Sequence, residues 1–275
     1  MTKSKNEYKI AVLLPTRGRT TALKMSVVSV FNRVIDLDSV ELRLGFDNDD
    51  EVGLRHFAED VQPWLEEKGV HYSVMLFPPL GYVGLNLYYN GLAKDASADW
   101  LFVWNDDAVM ETTGWDKLVT DHTGEFKLLK IHTHKEHPYS IFPIYPREWH
   151  DLFGHLSRHQ MIDAELSQMA YMLDIIEIIE IYATHDRADL TGNNDDSTQK
   201  AKLCLEGNPA DPRDFHNMSY IMGRMQDCDT IAAHLKTKGI DTTFWENVKT
   251  GKQDPWEKLK KNDINKQMVQ IPVKQ

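Results

Sequence analysis

The chain predicts an α/β fold built on a mostly parallel, doubly wound sheet, and three observations carry that prediction. Short apolar runs rich in aromatic and β-branched residues recur at residues 8–14, 40–46, 71–77 and 99–103, the pattern of strands buried within a sheet. Stretches of helical spacing separate them, and strands alternating with helices form parallel crossover units. Two of the runs stop abruptly at acidic side chains, in Phe46-Asp47-Asn48-Asp49-Asp50 and Trp104-Asn105-Asp106-Asp107. In open α/β sheets the carboxyl edge of the strands is where ligands sit. Carboxylates gathered there repel one another unless a cation or a set of donors neutralises them, and a hard divalent ion shared with substrate phosphates does so. A plain strand-to-turn transition uses the same residues, since Asn and Asp are common turn formers.

Composition bounds the classes. At 275 residues, 41% hydrophobic and 27% charged, the chain suits one sizeable α/β domain with an appendage. No apolar stretch reaches the length of a membrane span, and the first residues lack the apolar core of a signal peptide, so a cytoplasmic location is expected. Cys204 and Cys228 form no metal or disulfide spacing and are expected to be inert. A net charge of -11 argues against a DNA acceptor or broad binding to a polyanion.

In chain order, Tyr8 to Leu14 runs into Pro15-Thr16-Arg17-Gly18-Arg19-Thr20. Thr20 or Thr21 offers a cap for a helix over Ala22 to Arg33. Two arginines beside a helix N-terminus suit an anion or a nucleotide, although such arginines are commonly just solvated. Val40 to Phe46 is the second strand. The spacing then predicts a helix over about Gly53 to Lys68, broken or kinked at Pro63. His71 to Phe77 is the third strand, followed by a loop whose Gly81 and Gly84 could let backbone approach a phosphate or sugar. Asn86 to Ala93 reads as a helix with Leu85, Tyr88, Tyr89 and Leu92 toward the core, leading into the strand that ends at Asn105.

These segments carry a resemblance. Val12-Leu13-Leu14-Pro15-Thr16-Arg17-Gly18-Arg19 resembles the opening of the family 2 glycosyltransferases, Phe46 to Asp50 is similar to their second-strand acidic motif, and Trp104-Asn105-Asp106-Asp107 falls where they carry an Asp-x-Asp metal motif. Order and spacing agree across roughly residues 8 to 200. The resemblance implies a GT-A fold, with a Rossmann-like nucleotide-sugar-binding half followed by an acceptor-binding half. It places Thr16, Arg17 and Arg19 beside the nucleotide, Asp47 against a base N–H with Asp49 close by, and Asp106 and Asp107 facing the ribose and diphosphate through a divalent ion, Mn²⁺ or Mg²⁺. One departure matters: Asn105 stands at the first motif position. That leaves Asp107 as the direct metal ligand and suggests for Asn105 a hydrogen bond to ribose or to a bound water. Asp50 and Glu51 are read as solvated turn residues.

Beyond Asp107, Met110 to Asp116 resembles the connection from the metal motif to the next helix, with Trp115 as a packing residue. Phe126 to Thr133 is a strand with Leu129 and Ile131 on one side. His132, His134 and His137 follow closely, but His-x-His on a strand places both rings on one face without any ion, and no Cys or suitably spaced carboxylate completes a zinc set. Pro138 to Arg147 is an extended segment punctuated by prolines, and Arg147 to Arg158 turns helical.

A helix from His159 to about Leu173 carries Asp163 and Glu165, which are two apart and so cannot share a face. The resemblance assigns the general base to an acid at the start of this helix, and Asp163 matches it better. A first-turn carboxylate also simply suits the helix dipole. Ile175 to Ala183 is a strand, and His185 beyond it resembles the late histidine of GT-A metal sites, though a lone His is commonly a packing residue. Leu190 to Asp196 has the composition of a loop able to close over a donor, and Asp195 and Asp196 resemble an acidic pair in related viral and bacterial sequences.

After Gly207 to Pro212 the resemblance ends. Asp214 to Lys238 predicts a helix whose stripe of Met218, Ile221, Met222, Met225 and Ile231 is expected in the core, and Asp254 to Lys261 a shorter one. The chain therefore divides into a glycosyltransferase domain, 1–210, and a helical appendage, 211–275, packed on the first or forming part of a homo-oligomer interface. The expected function is metal-dependent transfer of a sugar, with inversion, from a UDP- or GDP-sugar to a glycan or other hydroxyl acceptor. A nucleotidyltransferase is disfavoured because no Gly-x-Gly with a following Lys succeeds the first strand. A non-enzymatic glycan- or nucleotide-sugar-binding protein on a transferase fold is the alternative that Asn105 keeps open.

Overall fold

The computed structural model describes residues 8–133, 137–185 and 210–257. His134, Cys204, Asp195 and Asp196, the loop over 190–196 and the tail from 258 onward lie outside the described residues. Among those described, eight strands form one sheet in the order β3-β2-β1-β4-β7-β6-β8-β5. They are β1 (Tyr8–Thr16), β2 (Val40–Asp47), β3 (His71–Phe77), β4 (Ala98–Val103), β5 (Ala108–Met110), β6 (Leu128–Thr133), β7 (Ile144–Pro146) and β8 (Ile176–His185). β1, β2, β3 and β4 pair in parallel, as do β6 and β8; β7 joins the two groups antiparallel to both, and β5 lies antiparallel to β8.

Alternation along the central strands divides the molecule into two cores. Ile10, Val12 and Leu14 join Trp100, Phe102 and Trp104 on one face, under α1 (Thr20–Phe31) and α5 (Trp115–Thr120). Ala11, Leu13, Leu101 and Val103 face the other way, against α4 (Leu85–Lys94), α6 (Arg147–Phe153) and α7 (Ile162–Leu173). The helices α8 (Met218–Thr237) and α9 (Thr243–Lys249) complete this second layer through Cys228, Ile231, Leu235 and Trp245. The buried Cys228 thiol is pushed well above its ordinary range by desolvation, which fits an inert residue.

Several details depart from the sequence reading. The stretch over 51–68 is helical throughout: α2 (Glu51–His56) passes through a π-helical turn over Phe57–Val61 into α3 (Gln62–Lys68), and this change of winding falls just before Pro63, which has no N–H to give to the preceding turn. Neither Thr20 nor Thr21 caps α1, whose N-cap is Arg19 without a side-chain bond. α6 stops at Gly154 in the left-handed region, well short of Arg158. The methionine stripe is split, with Met218 and Met222 exposed while Gly223, Asp227, Cys228 and Ile231 turn inward. β2 is buried along its whole length. There Glu41 accepts from Ser97 N at 3.1 Å, and Arg43 donates to Leu92 O at 2.7 Å, at the carbonyl-rich end of α4. Arg147 joins it there by donating to Ala93 O and Lys94 O, both at 2.9 Å, so two cations sit where the helix dipole favours them.

Candidate active site

The register of the parallel strands brings the sequence motifs to one edge. Leu13 pairs with Val103 and Thr16 with Phe46, so β1 outruns β4 and Thr16 reaches the turn after it. There the Thr16 hydroxyl donates to Asp106 Oδ2 at 2.7 Å. α1 fixes the same turn from the other face: Trp104 Nε1 donates to Ser26 Oγ at 2.8 Å, and that hydroxyl donates to Asn105 O at 2.9 Å. From the far side of the sheet, β8 arrives antiparallel to β5 with His185 opposite Ala108. This pairing sets His185 Nε2 3.1 Å from Asp107 Oδ1.

Arg19 bridges the two acids, with Nη1 2.7 Å from Asp107 Oδ2 and 3.2 Å from Asp106 Oδ1. Asp106 is 7% exposed. Burial, opposed by Arg19 and reinforced by Asp107, pushes its carboxyl up to about 6. Burial would raise Asp107 as well, yet His185 and Arg19 hold it below the ordinary carboxylate value. The two oxygens of Asp107 have different surroundings. Oδ2 receives Arg19, whereas Oδ1 is buried and faces the His185 ring nitrogen at 3.1 Å without a well-formed hydrogen bond.

A divalent ion fits this arrangement. A buried carboxylate oxygen without a well-formed hydrogen bond is costly, and Asp107 Oδ1 with His185 Nε2 offers a hard oxygen and an imidazole nitrogen side by side. Among the described residues, the histidine and acid side chains that come together as a group of three are His122, Glu125 and Glu177, near the opposite end of β6 and β8. Lys127 already lies between those acids, 2.8 Å from Glu125 and bonded to Glu177, so that cluster carries its own counter-ion. His132 stacks on Tyr182 and His137 lies against Tyr139.

A second cluster forms at the end of β2. Arg17 donates to Asp47 Oδ2 at 2.5 Å and to Asp49, and the Tyr88 hydroxyl donates to Asp47 Oδ1. The hydrogen bonds to Asp49 and Asp47 raise the Arg17 guanidinium above its usual range, and Arg17 lowers Asp49. Burial, with Asp47 beside it, pushes Tyr88 up to about 12. Asp47 is 1% exposed with both oxygens engaged, so a nucleotide base reaches it only by displacing Arg17 or Tyr88. Asp50 is not a solvated turn residue: it accepts from Gly53 N at 3.0 Å, capping α2, and from Gly18 N at 2.8 Å. Gly18 has φ +68°, so this tie holds the arginine loop in a turn that favours glycine. Glu51 is exposed as expected.

Asp163 lies half-buried in the first turn of α7. Tyr89, 1% exposed, feels the charges of Asp106, Asp107 and Asp163 together. Burial and those charges hold the Tyr89 hydroxyl well above its ordinary range. Glu165 turns away, as the helical spacing predicts. Its Oε2 accepts from Ser157 Oγ at 2.6 Å, His159 N at 3.0 Å and Arg158 N at 3.1 Å, and burial raises its carboxyl. Asn90 pins the same loop by accepting from Leu156 N at 2.8 Å and donating to Ser157 O at 3.0 Å.

The sequence thus pointed to Thr16, Arg19, Asn105, Asp106, Asp107 and His185, which the fold gathers at one edge, and to Arg17, Asp47 and Asp49, which form the neighbouring cluster. It missed Asp50, and it missed the polar ends of Tyr88 and Tyr89, read only as core. The available signal was that a buried tyrosine hydroxyl ordinarily finds a partner.

No protein-family profile matches the chain, and no curated protein matches it by sequence. Solved structures do match by shape. A mannosyltransferase from Pyrobaculum calidifontis, PcManGT, in complex with GDP-Man and Mn²⁺, aligns over 90% of this chain and 81% of its own, with TM-score 0.52 and 12% identity. S. aureus TarS aligns over 66% of this chain with TM-score 0.51 and 14% identity, the match spanning 38% of the TarS chain. GalNAc-T7 with UDP, GalNAc and Mn²⁺ aligns over 66% of this chain and 44% of its own, with TM-score 0.51 and 12% identity. The fold is the GT-A fold of these glycosyltransferase structures. Among the described residues, no helix is long and apolar enough to cross a membrane.

Proposed function

We propose that this chain is a family 2-like, metal-dependent glycosyltransferase that moves a sugar from a nucleoside-diphosphate donor to a hydroxyl acceptor with inversion. The observation that carries the reading is the buried Oδ1 of Asp107 set 3.1 Å from His185 Nε2, at the carboxyl edge of a parallel sheet. Asp107 and His185 would hold a Mn²⁺ or Mg²⁺ ion, which neutralises charge on a departing diphosphate when bound. Arg19, anchored on the other oxygen of Asp107, adds a fixed positive charge at the same edge, the kind of preorganised field that stabilises developing anions. Arg17, Asp47 and Asp49 form the nucleotide end of the site. Asp163 accepts the proton of the acceptor hydroxyl as that oxygen attacks the anomeric carbon from the face opposite the leaving group. Attack from that face inverts the anomeric configuration. In this reading residues 211–275 are an appendage, of which α8 and α9 share a core with α7.

The test is turnover. Purified protein incubated with a panel of UDP- and GDP-sugars and Mn²⁺ is expected to release nucleoside diphosphate slowly without an acceptor, and release is expected to stop in chelator. A second reading, a nucleotide-sugar-binding protein without turnover, is favoured by Arg19 already holding both carboxylates. Donor binding with no release under any metal would support it.

A further inference from the structure

Asn105 is the side chain by which this motif differs from Asp-x-Asp, and its surroundings restrict what it can do. The Tyr89 hydroxyl lies 2.8 Å from Trp104 O and 2.9 Å from Asn105 Oδ1, while Asn105 Nδ2 lies 3.3 Å from His185 Nε2. A phenol has one proton to give. A backbone carbonyl can only accept, so that proton goes to Trp104, and the Asn105 atom facing Tyr89 must then be a donor. The two ends of an asparagine amide are told apart by their partners. Turning the amide over satisfies the Tyr89 side: Nδ2 donates to the Tyr89 oxygen, and Oδ1 faces His185.

With that orientation, Asn105 Oδ1 and Asp107 Oδ1 both neighbour His185 Nε2, at 3.3 and 3.1 Å. Adjacent ligands of an octahedral ion bound at about 2.1 Å lie about 3 Å apart. We propose that Asn105 is a direct ligand, through Oδ1, of the ion held by Asp107 and His185, and that Tyr89 is the positioning residue that turns the amide oxygen toward it. This rests on the metal-dependent reading above. The substitution keeps a hard oxygen at the first motif position and removes one negative charge from an edge that already holds Asp106 and Asp107. An amide has a right and a wrong end, whereas a carboxylate does not. Tyr89 is therefore needed only because residue 105 is Asn.

A Mn²⁺ titration followed by electron paramagnetic resonance, on folded variants without donor, tests this. Asn105→Leu is expected to weaken Mn²⁺ binding at least about tenfold. Tyr89→Phe is expected to weaken it by about ten- to hundredfold, the usual effect of losing an outer partner of a metal ligand. In the Asn105→Asp background the same Tyr89→Phe change is expected to have little effect, a dependence on residue 105 that a merely structural role would not produce. Mn²⁺ binding unchanged in Asn105→Leu but lost in Asp107→Ala overturns this assignment and leaves the metal reading standing. Equal losses from Tyr89→Phe in both backgrounds overturn the positioning role. No Mn²⁺ binding by the wild-type chain overturns both the assignment and the metal-dependent reading.

Discussion

Arg19 Nη1 lies 2.7 Å from Asp107 Oδ2 and 3.2 Å from Asp106 Oδ1, so one guanidinium holds together two neighbouring carboxylates that would otherwise repel. The compensation is incomplete at Asp106, whose carboxyl is pushed from 3.8 up to about 6. A raised carboxyl value means that the folded state binds this proton more tightly than the unfolded chain. Stability from this group is therefore present below pH 4 and falls as pH rises from about 4 to about 6.

In metal-free buffer, Asp106→Asn is expected to remove that penalty. At about 1.4 kcal/mol per pKa unit the gain is at most about 3 kcal/mol at pH 7, reduced by the weakened contact with Arg19. Urea unfolding of both proteins at pH 7 and pH 4 checks this. The variant should gain on the wild type as pH rises, and a gap that is constant with pH contradicts the environment assigned to Asp106.

Asp227 has the opposite sign. It is 4% exposed and accepts from Arg158 Nε at 2.9 Å and Nη2 at 2.8 Å, with His155 at 3.3 Å. Burial would raise its carboxyl, but His155 and Arg158 lower it below the ordinary 3.8. This contribution is fully present above pH 4 and is lost as pH falls through the depressed value. Asp227→Asn is expected to cost about 2 kcal/mol at pH 7, less than a fully buried pair because Arg158 is partly exposed. The cost should shrink in acid, and equal costs in acid and at pH 7 would remove the ionised pair from the explanation.

Asp163→Asn keeps shape and most hydrogen-bonding capacity but cannot take a proton, so turnover is expected to fall about 10²- to 10⁴-fold with donor affinity nearly unchanged. Glu165→Gln is the control. Its amide oxygen can still accept from Ser157, Arg158 and His159, and the neutral group suits a site where burial already disfavours charge. Turnover near normal in Asp163→Asn would move the base elsewhere.

The strands were legible because the pattern that defines them is local. Ile10 to Leu14 and Trp100 to Val103 are apolar on both faces, and such runs have few places in a soluble fold except inside a parallel sheet. The edge was legible because both acidic clusters follow strands of the same direction. What the sequence hid depends on distant partners. Asp50 and Glu51 look alike in sequence, yet only Asp50 meets Gly18 N, from a loop over thirty positions earlier. Tyr89 looks like core until the turn after β4 supplies Trp104 O and Asn105. Met218 and Met222 keep helical spacing but face solvent, because Gly223 and Arg224 bring the other side of α8 onto the protein. The short elements β5 and α9 hold too few residues to show a period.

Thermal unfolding of the wild-type chain and Asp107→Ala with a panel of UDP- and GDP-sugars, in Mn²⁺ and in chelator, shows whether this edge holds a metal-dependent donor site. A ligand at one hundred times its dissociation constant adds about 2.7 kcal/mol of apparent stability. At least one nucleotide sugar is expected to raise the unfolding temperature of the wild type in Mn²⁺, with the rise lost in chelator and in the variant. No shift with any donor, or a shift that survives both the chelator and Asp107→Ala, would contradict a metal-dependent donor site at this edge.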